Sequence, residues 1–223
     1  MMQQVDAELG VVRAVFEDLG GYGALAQEQG GEGPLVGHLQ RTNIQLAAIP
    51  VFTRKGLQDT TVNDLLLAAN VSRRTFYKYF DNKIEVLEAI YQTAVGLLLS
   101  RFAEMQSVAG SPQAWLRSMV ARFFDYHLAV GAIIRLMQEE ALRADSPLAA
   151  HRQRAHEEMA RLLAERLDGI SKPTETLTYR ALLWALESSS LDLLGRAASR
   201  EEIEEAKRIL SDLLIAALCP EQG

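Results

Sequence analysis

Two helix starts lie close together in residues 61–80, TVNDLLLAANVSRRTFYKYF, and this spacing constrains the fold more than any other feature of the chain. Thr61 with Asp64 three positions later predicts a capped short helix, and Ser72 predicts the cap of a second one. Asn70, which lies between them, tolerates the left-handed backbone conformation that ends a helix. The segment therefore predicts a helix-turn-helix.

The second short helix is predicted to have two chemically different faces. At about 100° per residue, Phe76 and Phe80 fall on one face with Tyr79 beside them, while Arg74 and Lys78 point the other way. The apolar face can fix the helix against a core, and the long cationic side chains can reach base edges and phosphates. Cations directly after an N-cap oppose the helix dipole, so their presence favours a role other than helix stability.

The charge distribution favours a nucleic-acid partner, although the net charge of −6 taken alone argues against one. Residues 1–40 carry −5, residues 41–92 carry +2 and residues 93–223 carry −3. Within the positive segment, residues 72–83 contain four cations and a single anion, Asp81. One short segment is therefore positive inside a negative protein, and it includes the predicted helix-turn-helix.

From residue 41 onward the sequence predicts helices throughout, so the predicted fold class is all-α. Ser111-Pro112 and Ser146-Pro147 each place an N-cap oxygen before a proline at the first helical position, and Ser199 with Glu202 predicts a capping box. The predicted helices are 42–55, 61–68, 72–79, 82–107, 112–128, 131–143, 147–167, 174–196 and 200–218.

Three segments are predicted: an N-terminal extension over 1–40, a three-helix helix-turn-helix domain over 41–92 and a C-terminal helical domain over 93–223. The extension holds a short amphipathic helix followed by a Gly-rich run, residues 20–37. We interpret this run as a linker because it lacks the Lys-Ser/Thr pair of a phosphate loop. Its charge makes the extension a poor DNA arm, so we expect that it packs on protein or that the true start lies downstream.

The stretch from Arg41 to Tyr91 resembles the DNA-binding domain of the TetR family of bacterial transcriptional regulators. The matching features are a first helix ending in Phe52 and Gly56, the pair Thr60-Thr61, the turn Ala69-Asn70-Val71-Ser72, and the run from Thr75 to Phe80 followed by Asn82-Lys83. The resemblance implies a ligand-responsive regulator, a repressor, that binds a palindromic operator on double-stranded DNA as a homodimer. A small-molecule effector would release it from the DNA.

The resemblance also implies which side chains contact DNA. Arg73, Arg74 and Thr75 would approach bases in the major groove, and Lys83 with the N–H groups after Asn82 would hold phosphate. Phosphate contacts are also implied for three residues with hydroxyl groups, Thr61, Tyr77 and Tyr79. The whole predicted DNA-binding set is Thr61, Ser72, Arg73, Arg74, Thr75, Tyr77, Lys78, Tyr79 and Lys83.

Two positions of this segment depart from the family's pattern. Asn70 stands where the family most often has glycine, and the left-handed turn tolerates it. Pro50 falls inside the first helix, where the lost hydrogen bond to residue 46 costs roughly 3 kcal/mol and predicts a kink.

The last two predicted helices, 174–196 and 200–218, carry broad apolar stripes. Two such helices from each subunit would form a four-helix bundle, and the family resemblance implies the same dimer. Alternatively, both stripes complete the core of one subunit. The predicted interface residues are Leu186, Leu193, Ile203, Ala206, Leu210, Leu213, Leu214 and Ala217.

Aromatic, sulfur-containing and polar side chains of the helical domain are candidates for an effector site. The predicted ligand-binding residues are Trp115, Met119, Phe123, Tyr126, His127, Met137 and Trp184. The resemblance implies that an effector tilts the long helix 82–107, so that the two recognition helices of a dimer no longer fit both grooves. Alternatively, these side chains fill a core.

No catalytic constellation, metal site or cofactor is predicted. His151 and His156 are about 140° apart around a helix and do not share a face as a zinc site requires. The sequence contains no apolar run of about 18 residues and no secretory signal, and its single cysteine, Cys219, fits a reducing compartment. We therefore expect no membrane partner and a cytoplasmic location. A helix-turn-helix that docks on a protein, and an enzyme that uses a helical cavity, remain alternatives.

Overall fold

The computed structural model describes residues 32–105, 110–167 and 176–219, and within these ranges it has nine α-helices and no strand. The all-α class is therefore confirmed. Both ends of the first helix differ from the predicted bounds by more than three residues, and all other helix bounds lie within three residues of the predicted ones. The helices are α1 (Glu32–Asp59), α2 (Val62–Ala69), α3 (Arg73–Tyr77), α4 (Lys83–Glu104), α5 (Pro112–Val130), α6 (Ala132–Ala141), α7 (Pro147–Arg166), α8 (Thr176–Gly195) and α9 (Arg200–Leu218).

The first helix begins at Glu32, so residues 32–40 are helical where the glycine content predicts a linker. Pro34 falls in the first turn of the helix. The N–H groups of a first turn have no intrahelical acceptor, so the N–H that proline lacks costs no hydrogen bond here. Gly37 lies against Tyr79, whose hydroxyl oxygen is 3.5 Å from the position that a Cβ would take. The small residue thus lets another segment pack on the helix. The predictions for residues 1–31 lie outside the described residues.

The backbone of α1 departs from helical geometry at Gly56 and not at Pro50, where the sequence predicts a kink. Gly56 has φ 74° and ψ 169°, a conformation that L side chains rarely adopt. The Thr60 hydroxyl donates to the Gly56 carbonyl oxygen at 2.6 Å and closes the turn. Around Pro50 the neighbouring side chains of Ile49 and Phe52 are buried, and this packing keeps the helix continuous despite the lost hydrogen bond.

The chain forms two compact units whose division differs from the one predicted at residue 92. The first unit comprises the described residues up to Leu97 together with Ala132–Leu148, and the second comprises those of Leu98–Gly131 and of Ala149 onward. In the first unit α1 packs against α2 and also against α6, which groups α6 with the N-terminal helices. In the second unit α5, α8 and α9 pack against one another.

One described helix, α4, has the length and mean hydropathy (1.2) of a membrane-span candidate. Half of that apolar stretch is buried inside the structure. Val86, Leu87 and Ile90 are among its buried side chains. These contacts are typical of a core helix, and length with composition alone is weak evidence for a membrane span.

We expect Gly56→Ala to lower the free energy of unfolding by about 1–3 kcal/mol, because alanine is strained at this φ and ψ. No atom lies within 4 Å of the added Cβ, so the cost is conformational and involves no clash. Urea unfolding followed by circular dichroism measures the change.

Gly96→Ala is the matched control, since Gly96 lies in α4 and its added Cβ also meets no atom within 4 Å. Here alanine is the better helix former, so the free energy of unfolding is expected to rise by about 0.5–1 kcal/mol. Effects of the same sign in the two variants would contradict the strain at Gly56.

Candidate nucleic-acid interface

Helix α2 is closed at both ends by the residues that the sequence indicated. At its start, the Thr61 hydroxyl accepts the Asp64 N–H at 3.2 Å, and the Thr61 N–H donates to the Asp64 carboxylate at 2.9 Å. At its end, Asn70 has φ 52° and ψ 47°, and Val71 donates its N–H to the Leu66 carbonyl at 3.1 Å. The predicted capping box and the left-handed Asn70 are confirmed.

Helix α3 follows the turn directly and is fixed by its apolar side. The Ser72 hydroxyl accepts the Thr75 N–H at 3.1 Å and lies 2.9 Å from the Thr75 hydroxyl. Phe76 is fully buried, with its ring centroid 6.0 Å from that of Phe80 and 5.4 Å from that of Tyr77. The predicted aromatic face is therefore the core face of the helix.

The opposite side of α3 presents donors without a partner inside the described part of the chain. Arg73, Arg74 and Lys78 are exposed, and none of them forms an ion pair with a described carboxylate. Tyr77 is 46% exposed, and the Lys78 ammonium lies 5.2 Å from the centroid of the Tyr79 ring. Two guanidinium groups, one ammonium and one phenol thus share one solvent-facing surface, which is what phosphate and base-edge acceptors require.

Side chains of α1 hold the helix-turn-helix in place through contacts that the sequence analysis missed. The Asn43 amide donates to the Ala69 carbonyl at 3.0 Å, and the Gln40 amide oxygen accepts the Tyr79 hydroxyl at 2.9 Å. The Arg41 guanidinium lies 5.3 Å from the centroid of the Phe80 ring. These partners are far apart in sequence, so no local pattern indicates them.

Two predicted phosphate contacts, Tyr79 and Thr61, use their hydroxyl hydrogens within the protein. Tyr79 has one O–H donor and gives it to Gln40. Thr61 donates its hydroxyl hydrogen to the Asp64 carboxylate at 2.8 Å. A phosphate oxygen accepts hydrogen bonds, so neither hydroxyl is available to it in this arrangement.

The start of α4, where a phosphate contact is also predicted, is filled by the chain's own groups. The Lys83 ammonium donates to the carbonyl oxygens of Leu57 at 2.7 Å, Gln58 at 2.8 Å and Thr60 at 2.7 Å. The Asn82 side-chain oxygen accepts the N–H groups of residues 84 and 85 at 2.8 and 3.1 Å. In this arrangement Lys83 has no hydrogen left for a phosphate, since an ammonium carries three.

Lys55 is a further cation at this surface that the sequence analysis did not single out. Its ammonium lies 2.7 Å from the Asp64 carboxylate, and it is half exposed. The hydrogen bonds from Lys55 and then from Thr61 lower the pKa of Asp64 to about 2. The capping carboxylate is therefore ionised across the physiological pH range.

The predicted ligand-binding residues are divided between the two units. Met137 belongs to the first unit, whereas the other six belong to the second. Trp184 is 37% exposed. The other six are buried: Trp115, Met119, Phe123, Tyr126, His127 and Met137.

A group of aromatic rings surrounds His127 on α5. Its ring centroid is 4.0 Å from that of Phe123 and 5.9 Å from that of Tyr126. The His127 Nδ1 atom is buried and has no hydrogen-bond partner among the described residues. Burial lowers the pKa of His127 to about 4, and the negative charge of Glu187 and then a contact with the Phe123 backbone oppose this shift only in part. His127 is therefore a neutral imidazole near pH 7.

Next to this group lies a buried carboxylate that the sequence analysis missed. The Arg152 guanidinium Nε donates to the two Glu187 oxygens at 3.2 and 3.0 Å, and His156 Nε2 is 3.5 Å from one of them. Burial raises the pKa of Glu187, but the hydrogen bonds from His156 and Arg152 outweigh it and lower the pKa. Trp184 Nε1 donates to His156 Nδ1 at 3.1 Å. No cluster of three metal-ligating side chains occurs in the described ranges.

The predicted dimer stripe is divided between core and surface. Four of its residues are buried within the subunit, as the alternative interpretation expects: Leu186, Leu193, Leu210 and Leu214. Leu213 and Ala217 are exposed, whereas Ile203 and Ala206 are partly exposed. A helix in a layered fold buries one side against its own subunit, so only the remaining side is left for a partner.

We expect Asp64→Asn to reduce the loss of stability in acid. Because the pKa of Asp64 is lowered from 3.8 to about 2, its contribution is complete above about pH 4 and is lost as the pH falls towards 2. The thermal unfolding midpoint, measured from pH 6 down to pH 2.5, should fall less steeply in Asp64→Asn than in the wild type. Asp59→Asn, which removes an exposed carboxylate without a described ion pair, should retain the wild-type slope.

The comparisons with known proteins agree with this geometry. Residues 44–90 match the sequence profile of the bacterial regulatory proteins of the tetR family. The HTH-type transcriptional repressor KstR2 from Rhodococcus jostii is 25% identical over 101 residues, which cover 45% of this chain and 50% of that protein. The chain thus spans about half the length of the curated relatives it matches.

Solved structures share the fold over most of the chain. A transcriptional regulator from Rhodococcus sp. RHA1 has a TM-score of 0.68 at 22% identity, covering 80% of this chain and 97% of that one. The regulator FadR from Bacillus subtilis, solved in complex with stearoyl-CoA, has a TM-score of 0.67 at 16% identity, covering 79% and 98%. The profile match over residues 44–90 agrees with the resemblance recognised in the sequence: this segment is similar to the helix-turn-helix of the tetR family of bacterial regulatory proteins, and the chain shares the fold of these solved structures.

Proposed function

We propose that the protein is a transcriptional repressor that reads the major groove of double-stranded DNA with α3. The observation that carries this proposal is the set of exposed cations Arg73, Arg74 and Lys78, which form no ion pair with the described residues and belong to a helix whose other side is anchored by Phe76. Guanidinium groups bind guanine edges and phosphates in pairs of hydrogen bonds, and Tyr77 adds a phenol next to them. Relatives such as KstR2 are repressors, which supports this direction of control.

The DNA-contacting set that the geometry supports is narrower than the predicted one. In the described part of the chain no acceptor binds the side-chain donors of Arg73, Arg74, Tyr77 and Lys78, whereas the hydroxyls of Ser72 and Thr75 lie 2.9 Å from each other. The first four residues are therefore the proposed contacts to bases and phosphates.

A five-residue helix contacts few base pairs, so we propose that two copies of the chain read a palindromic operator. Apolar side chains on α8 and α9 support the dimer, since Leu177, Trp184, Ile209 and Leu213 are between 37% and 61% exposed. Small residues beside them, such as Ala181, permit close approach of helices. Two helices from each subunit would form a four-helix bundle.

A small-molecule effector is proposed to bind beside His127. The aromatic rings of Phe123 and Tyr126 can contact an apolar body, and the unpartnered His127 Nδ1 can bond one neutral polar atom of the ligand. FadR from Bacillus subtilis, which shares this fold, was solved in complex with stearoyl-CoA. The thioester carbonyl oxygen of that ligand is a neutral polar atom of this kind. The effector would release the repressor because it prefers the conformation that does not fit the operator. This function places the protein in the bacterial cytoplasm.

We expect the double change Arg73→Ala and Arg74→Ala to weaken DNA binding by about 1–3 kcal/mol for each base that is no longer bound by a guanidinium. The probe is a genomic duplex recovered with the purified wild-type protein, and fluorescence anisotropy at increasing salt measures the affinity. The slope of log K against log salt should fall by about 0.9 for each phosphate that is no longer neutralised.

The matched control is Arg154→Ala with Arg161→Ala on α7, which removes the same charge from two exposed positions of the second unit. Its affinity and salt slope should equal those of the wild type. If the α3 variant also binds unchanged, the assignment of α3 as the reading helix is wrong. Failure of the wild type to retain any genomic fragment would favour docking on a protein instead.

We expect Ile209→Glu with Leu213→Glu to convert the dimer to a monomer, because each charge would be buried in an apolar interface. Sedimentation velocity measures the mass, and the affinity for the recovered duplex should fall with it. Leu142→Glu is the control, since Leu142 is 62% exposed but lies in the first unit. A double variant that stays dimeric would show that this face is not the interface.

A further inference from the structure

The Lys83 ammonium occupies a position where three backbone carbonyls converge. Its bonds to the oxygens of Leu57, Gln58 and Thr60 are 2.7–2.8 Å long, and together they use all three ammonium hydrogens. These carbonyls belong to the end of α1 and to the residue directly before the N-cap of α2. One side chain from the first turn of α4 thus bonds the junction between two other helices.

The carbonyls at this junction need a donor from outside their own helix. The last carbonyls of a helix lack intrahelical partners, and the turn at Gly56 separates residues 57–60 from the regular part of α1. A cation at a helix C-terminus is favoured by the helix dipole, and its hydrogen bonds to carbonyls are charge-assisted. Lys83 therefore meets a structural need that exists without DNA.

Several donors at the same end of α4 already have acceptors within the protein. Asn82 already accepts the N–H groups of Ile84 and Glu85, and the Glu85 carboxylate accepts the Asp81 N–H at 2.8 Å. A phosphate here would approach a carboxylate and would have to displace bonds that the chain already makes. The N–H groups of Ile84 and Glu85 and the three ammonium hydrogens of Lys83 are therefore used within the protein, and the Glu85 carboxylate places a negative charge beside them.

We propose that the Lys83 side chain is a positioning group that fixes the start of α2 against α4 and that its ammonium makes no contact with DNA. The Thr60 carbonyl that Lys83 binds is one residue before Thr61, the cap from which α2 starts. Through the tight turn at Asn70, the position of α2 sets that of α3 and its cations. The expected effect of Lys83 on DNA affinity rests on the proposed DNA binding. The hydrogen bonds of Lys83 are present in the free protein and do not depend on it.

The test compares Lys83→Met with Lys78→Gln, which changes an exposed lysine of the proposed DNA-facing surface. Binding to the recovered genomic duplex is measured by anisotropy at several salt concentrations. For Lys83→Met we expect the affinity to fall by up to about tenfold, as for the loss of a charge-assisted hydrogen bond. The salt slope should equal that of the wild type. For Lys78→Gln we expect the slope to fall by about 0.9 for each subunit in which a phosphate is no longer neutralised.

The variant Lys83→Arg also distinguishes a positioning role of Lys83 from a phosphate contact. A phosphate contact tolerates arginine, whereas a planar guanidinium cannot direct three hydrogens to three converging carbonyls as an ammonium does. We therefore expect Lys83→Arg to bind as weakly as Lys83→Met. A salt slope reduced in Lys83→Met, together with wild-type affinity in Lys83→Arg, would overturn the proposal.

Hydrogen exchange of the α2 amides in the free protein gives a readout that does not depend on DNA. Exchange in α2 should be faster in Lys83→Met than in the wild type and unchanged in Lys78→Gln. If the wild type bound no DNA, the proposed function would fail while this readout still tested the positioning role. Unchanged exchange in Lys83→Met would overturn that role whatever the DNA measurements showed.

Discussion

The burial of Phe76 is the contact on which the proposed reading surface depends. Isolated helices of five and eight residues are not stable in water, because nucleation fixes several residues for very few hydrogen bonds. The fully buried Phe76 supplies the apolar contact that α3 lacks on its own, and its neighbour Phe80 is buried with it. Arg73 and Arg74 are therefore held in place by packing on the far side of their helix.

Polar contacts from the two longest described helices complete this frame. Helix α1 contributes Asn43 and Gln40, which bond the end of α2 and the residue after α3's C-cap, and α4 contributes Lys83, which bonds the junction before α2. Each of these side chains gives a hydrogen-bond partner to a backbone carbonyl or a hydroxyl group of the helix-turn-helix. The short helices thus take their orientation from long ones, and a displacement of α1 or α4 would carry the reading surface with it.

Local signals made much of this predictable from the sequence. The caps at Thr61, Ser72 and Ser199, and the left-handed Asn70, depend on residues at most three positions away, and all are present. The contacts of Lys83 and Tyr79 span 23 to 39 positions, so a motif read along the chain assigned them to DNA. Inside the fold the Tyr79 hydroxyl donates to Gln40, and the Lys83 ammonium donates to backbone carbonyls. The apolar stripes of α8 and α9 likewise could not reveal which residues their own subunit covers.

The distribution of partners among the arginines distinguishes the proposed reading surface from the other charged faces. In the second unit Arg117, Arg161, Arg196 and Arg208 each face a carboxylate at hydrogen-bond distance, and such exposed pairs neutralise each other. The cations of α3 have no such partner among the described residues, although the protein as a whole has an excess of acidic residues. Because no described carboxylate neutralises these cations, they give α3 a local positive potential in a chain of net charge −6, and the acidic remainder repels phosphate elsewhere. Association with DNA is then favoured in the orientation that presents α3.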